Sequence, residues 1–172
     1  RSTIEYFLGR EVTMEEYRKL SHEKEDFYLQ LCEEDKEFTL APGVAAYLDL
    51  LKEKQIPFMI ATSAEVRNVD FYYRRFALDR WFDRERDIIC ADGTMPSKPH
   101  PAIYKKAMER LGVEPAQCRV YEDLATGIAS AHAAGAGEII AVASAALPEK
   151  LEQLSGVTYA ISDFTDERIR EF

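Results

Sequence analysis

Residues 56–61, Ile-Pro-Phe-Met-Ile-Ala, form a short and nearly continuous apolar run that passes at once into a helical pattern. A strand with one wet face alternates apolar and polar side chains. A strand this uniformly apolar is covered on both faces, as in a parallel sheet wrapped by helices. The unit recurs along the chain. A helix is expected over 66–76, an apolar run at Ile88-Ile89-Cys90 and a helix over 102–111. A strand over 119–121, a small-residue helix over 127–134 and strands over 139–142 and 159–161 follow. Upstream, residues 44–54 read as a helix with Tyr47, Leu48 and Leu51 on its apolar side. Repeated strand–helix units of this kind predict an α/β domain with a Rossmann-like parallel sheet.

Residues 1–40 have a different texture, highly charged and helical, with no strand. Ile4, Phe7 and Leu8 share one helical face, and Phe27, Tyr28, Leu31 and Cys32 repeat at helical spacing. Thr13 is placed to cap a second helix, with Glu16 at the capping-box position. The pattern stops at the breaker Ala41-Pro42-Gly43. The expected organisation is a helical subdomain over 1–40 and an α/β core over 41–172.

Composition excludes several classes. With 47% hydrophobic and 31% charged residues, and only 8 Gly and 7 Pro, the 172-residue chain is neither disordered nor fibrous. A formal net charge of −9 argues against a nucleic-acid partner, which needs a basic face to neutralise phosphates. It does not argue against a small phosphorylated molecule, because one lysine and a metal ion reverse the field inside a pocket. Cys32, Cys90 and Cys118 are odd in number and widely spaced, which speaks against a disulfide framework and for a reducing cytoplasm. His22, His100 and His132 have no metal-ligand spacing, no apolar run reaches a membrane span, and the first residues do not read as a signal peptide.

In open parallel α/β sheets, ligands bind beyond the carboxyl ends of the strands. Three segments fall there. Ala61-Thr62-Ser63-Ala64 offers hydroxyls and backbone N–H groups before a helix, either as an anion site or simply as an N-cap. Pro96-Ser97-Lys98-Pro99-His100-Pro101 holds Lys98 on a loop stiffened by three prolines, either as a fixed charge for a phosphoryl group or as a solvated lysine; His100 reads as a loop residue. Glu122-Asp123 sets two adjacent carboxylates at a strand end. Such a pair needs a cation or hydrogen-bond donors to offset its repulsion, unless Asp123 is an N-cap and Glu122 a surface residue.

Taken in order, PGVAAYLDLLKEKQIPFMIATSA, DRWFD, SKPHPAIYKKAMERLGV, RVYEDLATGIASAHAAGA and EIIAV resemble the haloacid dehalogenase superfamily, in the branch of β-phosphoglucomutase and small sugar-phosphate phosphatases. The likeness covers nearly all of residues 42–142. It implies that Thr62, with the Ser63 N–H, hydrogen-bonds the transferring phosphoryl group, that Lys98 neutralises its charge, and that Glu122 and Asp123 are magnesium-site carboxylates. It implies Mg2+ as cofactor and a small phosphorylated metabolite, a sugar phosphate, as substrate. A monomer or weak dimer without nucleic-acid or membrane partners is expected. Residues 1–40 resemble the later part of a helical cap of the C1 type. There Lys24, with Tyr28 one turn on, and more weakly Arg10 are substrate-facing candidates; a solvated surface charge is the alternative for both.

Two departures from the family stand out. Ala102 replaces an acid that often follows the KPxP sequence, which loosens the expected support of Lys98. The first motif, an apolar strand running into DxDGT or DxDGV with the nucleophilic Asp and the general acid/base, is absent from residues 1–172; Asp92-Gly93-Thr94 lacks its first Asp and does not replace it. The family places that strand centrally, between the strands ending at Thr62 and Glu122. Without it two rows of backbone groups go unpaired, at about 1–3 kcal/mol per buried group against a total stability of about 5–15 kcal/mol. The expectation is an N-terminally incomplete sequence, inactive and unable to hold the fold by itself. The rival expectation is a degenerate, non-catalytic domain that binds a phosphorylated ligand or a partner.

Overall fold

A computed structural model of the chain describes residues 3–144 and 148–172. The reading of a signal peptide's absence includes Arg1 and Ser2, which lie outside the described residues. The chain divides into two compact units, Arg1–Thr39 and Leu40–Phe172.

The first unit holds α1 (Thr3–Leu8) and α2 (Met14–Glu34). Thr13 starts α2 as its spacing predicts: its backbone is extended and its hydroxyl accepts from the Glu16 N–H at 3.2 Å. The helix closes where the Asp35 N–H reaches Leu31 O at 3.0 Å. The face predicted for Ile4, Phe7 and Leu8 is not a buried one, since Phe7 and Leu8 are exposed.

The second unit runs α3 (Val44–Glu53), β1 (Ile60–Glu65), α4 (Val66–Arg75), β2 (Ile88–Ala91), α5 (Ala102–Leu111) and β3 (Arg119–Glu122). It continues with α6 (Ala125–Ala134), β4 (Glu138–Val142), α7 (Pro148–Leu151) and β5 (Tyr159–Ile161). All pairings are parallel, as the apolar runs predict. The strands form two sheets, β1-β2 and β3-β4-β5. Among the described residues no strand joins β1 to β3.

Alternation along β4 explains the covering layers. Ile139 packs with Ile103, Tyr104, Met108, Val120 and Ile128, on the side of α5 and α6. Its neighbour Ile140 packs with Tyr47, Leu51, Ile161 and Ile169, on the side of α3. Successive strand residues point to opposite faces, so both being 0–1% exposed means a sheet buried on both sides. A third cluster, Val69, Leu78, Phe82 and Ile88, closes the β2 side.

The first strand is displaced from its predicted place. Pairing begins at Ile60, whose N–H reaches Asp87 O at 2.8 Å, and runs to Glu65. Residues 56–59 are a lead-in: the Ile56 N–H closes α3 on Leu51 O at 3.0 Å, and Pro57 has no N–H to give a ladder. The register slips between Ala61 and Glu65, so Thr62-Ser63-Ala64 form a bulge.

Candidate functional site

A cleft of about 630 Å³ opens at the carboxyl ends of β1 and β3, lined among others by Thr62, Ser63, Lys98, Glu122, Asp123 and Ser144. Five residues singled out in the sequence therefore meet around one space, where a parallel sheet places its ligands.

The bulge determines what Thr62 and Ser63 present. The Thr62 hydroxyl accepts from the Ala64 N–H at 3.1 Å, a local turn bond that competes with the strand ladder. The helix that follows starts only at Val66, with Glu65 at its N-cap and no side-chain cap bond. Neither Thr62 nor Ser63 is an N-cap, and the expected helix-terminus anion site is replaced by a strand bulge. Ser63 is exposed.

Lys98 stands on the proline-rich loop, whose Lys98–Pro99 bond is cis. The loop is tied down at His100: its carbonyl accepts from the buried Ser130 hydroxyl at 2.8 Å, and its Nδ1 accepts from the Ala102 N–H at 3.2 Å. His100 is thus a loop anchor. The Lys98 ammonium donates to Ala61 O at 3.3 Å and to the Tyr104 hydroxyl at 3.1 Å. It also makes a short ion pair with Glu122 Oε1, and Tyr104 donates to that same oxygen. The two charged side chains are 12% and 9% exposed. The support that Ala102 does not provide comes from Tyr104 and Glu122.

Glu122 was expected as a metal carboxylate. Its geometry makes it first the counter-ion of Lys98, pressed against Gly127, where a Cβ would run into its carboxylate. Asp123 is exposed, and its Oδ2 accepts from the Ser144 hydroxyl at 2.9 Å. It does not cap α6, whose N-cap is Leu124 with no side-chain bond. Burial, and then the neighbouring Glu122 charge, push the Tyr104 hydroxyl well above the usual tyrosine range, so it remains a donor.

Magnesium takes one or two carboxylates and fills its sphere with water and phosphate oxygens. Asp123, and Glu122 through Oε2, fit that requirement. Among the described residues no group of three or more His, Cys, Asp or Glu gathers into a fuller cage.

Arg10 and Lys24 belong to the Arg1–Thr39 unit. Arg10 forms a two-pronged bridge to Glu16, at 2.5 and 3.1 Å. Lys24 pairs with Glu25 at 2.6 Å and is 64% exposed. Asp92-Gly93-Thr94 closes an exposed turn on itself, Asp92 Oδ1 accepting from the Thr94 N–H at 2.9 Å.

Tyr104 and Ser144 were not foreseen. A tyrosine on the buried face of α5 was a signal for Tyr104, because a buried phenol needs a partner. Nothing local marked Ser144.

The model of the haloacid dehalogenase-like hydrolases matches residues 3–135. The chain belongs to this family. It is 33% identical over 152 residues to the phosphorylated carbohydrates phosphatase of Thermotoga maritima, across 88% of this chain and 59% of that protein. It is 32% identical to the β-phosphoglucomutase of Bacillus subtilis, across 72% of this chain and 52% of that protein. The crystal structure of a HAD hydrolase, family IA, variant 3, from Entamoeba histolytica superposes with a TM-score of 0.89 at 38% identity, over 94% of this chain and 71% of that one. The fold is the Rossmann-type α/β fold of haloacid dehalogenase-like proteins. The chain thus spans between half and two thirds of these two curated relatives' lengths. Among the described residues no helix is long and apolar enough to cross a membrane.

Proposed function

We propose that this chain carries most of the phosphoryl site of a magnesium-dependent phosphatase, or of a phosphomutase of the β-phosphoglucomutase type, acting on a small sugar phosphate. The observation behind this reading is the convergence of Thr62, Lys98, Glu122 and Asp123 at the ends of β1 and β3. The names of the two curated relatives, a phosphatase of phosphorylated carbohydrates and a sugar phosphomutase, support the substrate class.

In this reading Thr62 and the Ser63 N–H hydrogen-bond the transferring group, and Lys98 neutralises its charge. Asp123, oriented by Ser144, and Glu122 hold magnesium, which when bound supplies positive charge to the phosphoryl oxygens. Positioned charge of this kind is most of what phosphoryl transfer asks of a protein. The nucleophile is an aspartate that attacks phosphorus, expels the substrate alcohol and forms an aspartyl phosphate for water or a second hydroxyl to take up. We place that aspartate outside residues 1–172, on a strand lying parallel to β1 and β3 and between them. The separation of the strands into two sheets supports this placement. Residues 1–40 are the later part of a helical cap, with Lys24 as its substrate-facing candidate. Three free cysteines suit a cytoplasmic protein.

One observation favours the non-catalytic reading: residues 1–172 hold no DxDGT or DxDGV motif. Intact mass and phosphate release from a panel of sugar phosphates, with magnesium and with chelator, test the two. A mass above the 19.7 kDa of these residues, with magnesium-dependent release, supports the enzyme. Phosphate binding without turnover at 19.7 kDa supports the binding domain.

A further inference from the structure

An ammonium group has three protons, and the directions of two decide where the third points. In Lys98 one goes to Glu122 Oε1 and one to the Tyr104 hydroxyl at 3.1 Å; the third goes to Ala61 O at 3.3 Å, the longest of the three bonds. Ala61 is on the cleft side. Ile60 turns its N–H toward β2, onto Asp87 O, so by the alternation of a strand Ala61 turns its carbonyl to the opposite edge. That edge is where the nucleophile strand is placed, and a strand N–H there would take the Ala61 carbonyl, so the Ala61 bond is the one that Lys98 exchanges for a phosphoryl oxygen at least cost.

We propose that Tyr104 is the positioning residue of this lysine: together with Glu122 it holds two of the three ammonium protons, so that the remaining proton is aimed into the cleft. The proposal rests on the reading of Lys98 as the phosphoryl-binding lysine. Tyr104 acts in two ways. Its hydroxyl accepts from Lys98 while donating to Glu122 Oε1, closing a three-membered ring of contacts. Its ring stands 4.7 Å from the ammonium, centroid to Nζ, and limits the swing of the flexible lysine stem. Tyr104 itself cannot drift, being 6% exposed and packed in the core cluster with Ile103, Met108 and Ile128. Gly127 completes the arrangement, because any Cβ there would displace the Glu122 carboxylate.

The test is nitrogen-15 lysine NMR on the intact protein, with the Lys98 ammonium signal assigned by its loss in Lys98→Arg, alongside calorimetry with inorganic phosphate. In Tyr104→Phe the ring stays and both hydroxyl bonds go, the one from Lys98 and the one to Glu122. Proton exchange of the Lys98 ammonium should accelerate, and the phosphate Kd should rise, each by about tenfold. Gly127→Ala should do the same by moving Glu122 instead. Unchanged exchange and an unchanged Kd in Tyr104→Phe would overturn the proposal. In the unaltered protein the Lys98 ammonium protons should show cross-peaks to the Tyr104 ring, and their absence would overturn it whatever the variants do. Phosphate that fails to bind even the unaltered protein overturns the phosphoryl-site reading instead, and the exchange rates still decide the role of Tyr104.

Discussion

Ser144 donates its hydroxyl to Asp123 Oδ2 at 2.9 Å, tying the end of β4 to the carboxylate that follows β3. The bond fixes the rotation of the carboxyl group, and in the proposed magnesium site Oδ1 would be the oxygen that meets the metal. Groups that orient a metal ligand commonly change metal affinity by about 10–100-fold when removed. Ser144→Ala should therefore raise the magnesium concentration needed for half-maximal activity about tenfold. Ser144 is exposed, so the melting temperature should hardly move. A magnesium titration of activity, read beside a thermal melt, checks both.

Lys98 and Glu122 form a pair that is nearly out of water on both sides. Removing one member strands the other charge, which costs about 3–5 kcal/mol in buried pairs. Lys98→Met should lower stability by about that amount in urea denaturation. Adding Glu122→Gln should restore part of the loss, because the stranded carboxylate is gone while Tyr104 still has an acceptor. A double mutant no more stable than Lys98→Met would mean the two charges are not coupled.

The layered fold was legible because its strands are apolar runs bounded by breakers. Helix α5 begins and ends where the pattern places it, between Pro101 and Gly112, and β5 at Tyr159–Ile161 does the same. The start of β1 was not legible, since residues 56–61 are apolar throughout and only pairing with β2 excludes the first four. The bulge at Thr62 follows from one hydroxyl choosing a neighbouring N–H over the ladder, which composition does not reveal. Residue types sufficed to mark Lys98, Glu122 and Asp123, but not their partners. That Glu122 faces a lysine 24 positions away, and Asp123 a serine 21 away, depends on the folding of two loops.

Two buried hydroxyls give the chain an alkaline limit. Burial and then Glu122 raise Tyr104; burial and then the Tyr47 hydroxyl raise Tyr121. A group whose folded pKa lies above its unfolded value binds its proton more tightly when folded. Its stabilisation is complete below the unfolded pKa of about 10 and is lost as pH rises beyond it. Stability should thus fall steeply above about pH 10. Tyr104→Phe should flatten that fall while leaving the curve below pH 9 parallel to the unaltered protein's. Urea midpoints measured across the alkaline range would decide, and an equally steep fall in the variant would exclude Tyr104 as a source.

Gly43 and Gly112 separate two costs that usually come together. Both have positive φ, 81° and 69°. A Cβ at Gly112 meets nothing within 4 Å, whereas at Gly43 it would overlap the backbone of Phe164 and Thr165. Gly112→Ala should therefore show only the left-handed penalty, about 1–2 kcal/mol. Gly43→Ala should add the cost of overpacking, for about 3 kcal/mol or more in all. The second cost reaches the site. Phe164 is held by its N–H to Pro42 O at 2.9 Å and packs on Tyr121 with ring centroids 5.1 Å apart at the wall of the cleft. Gly43→Ala should weaken phosphate binding as well as stability, and Gly112→Ala should weaken stability alone. Equal losses of stability in the two variants would show that the backbone angle, and not the approach of Phe164, governs Gly43.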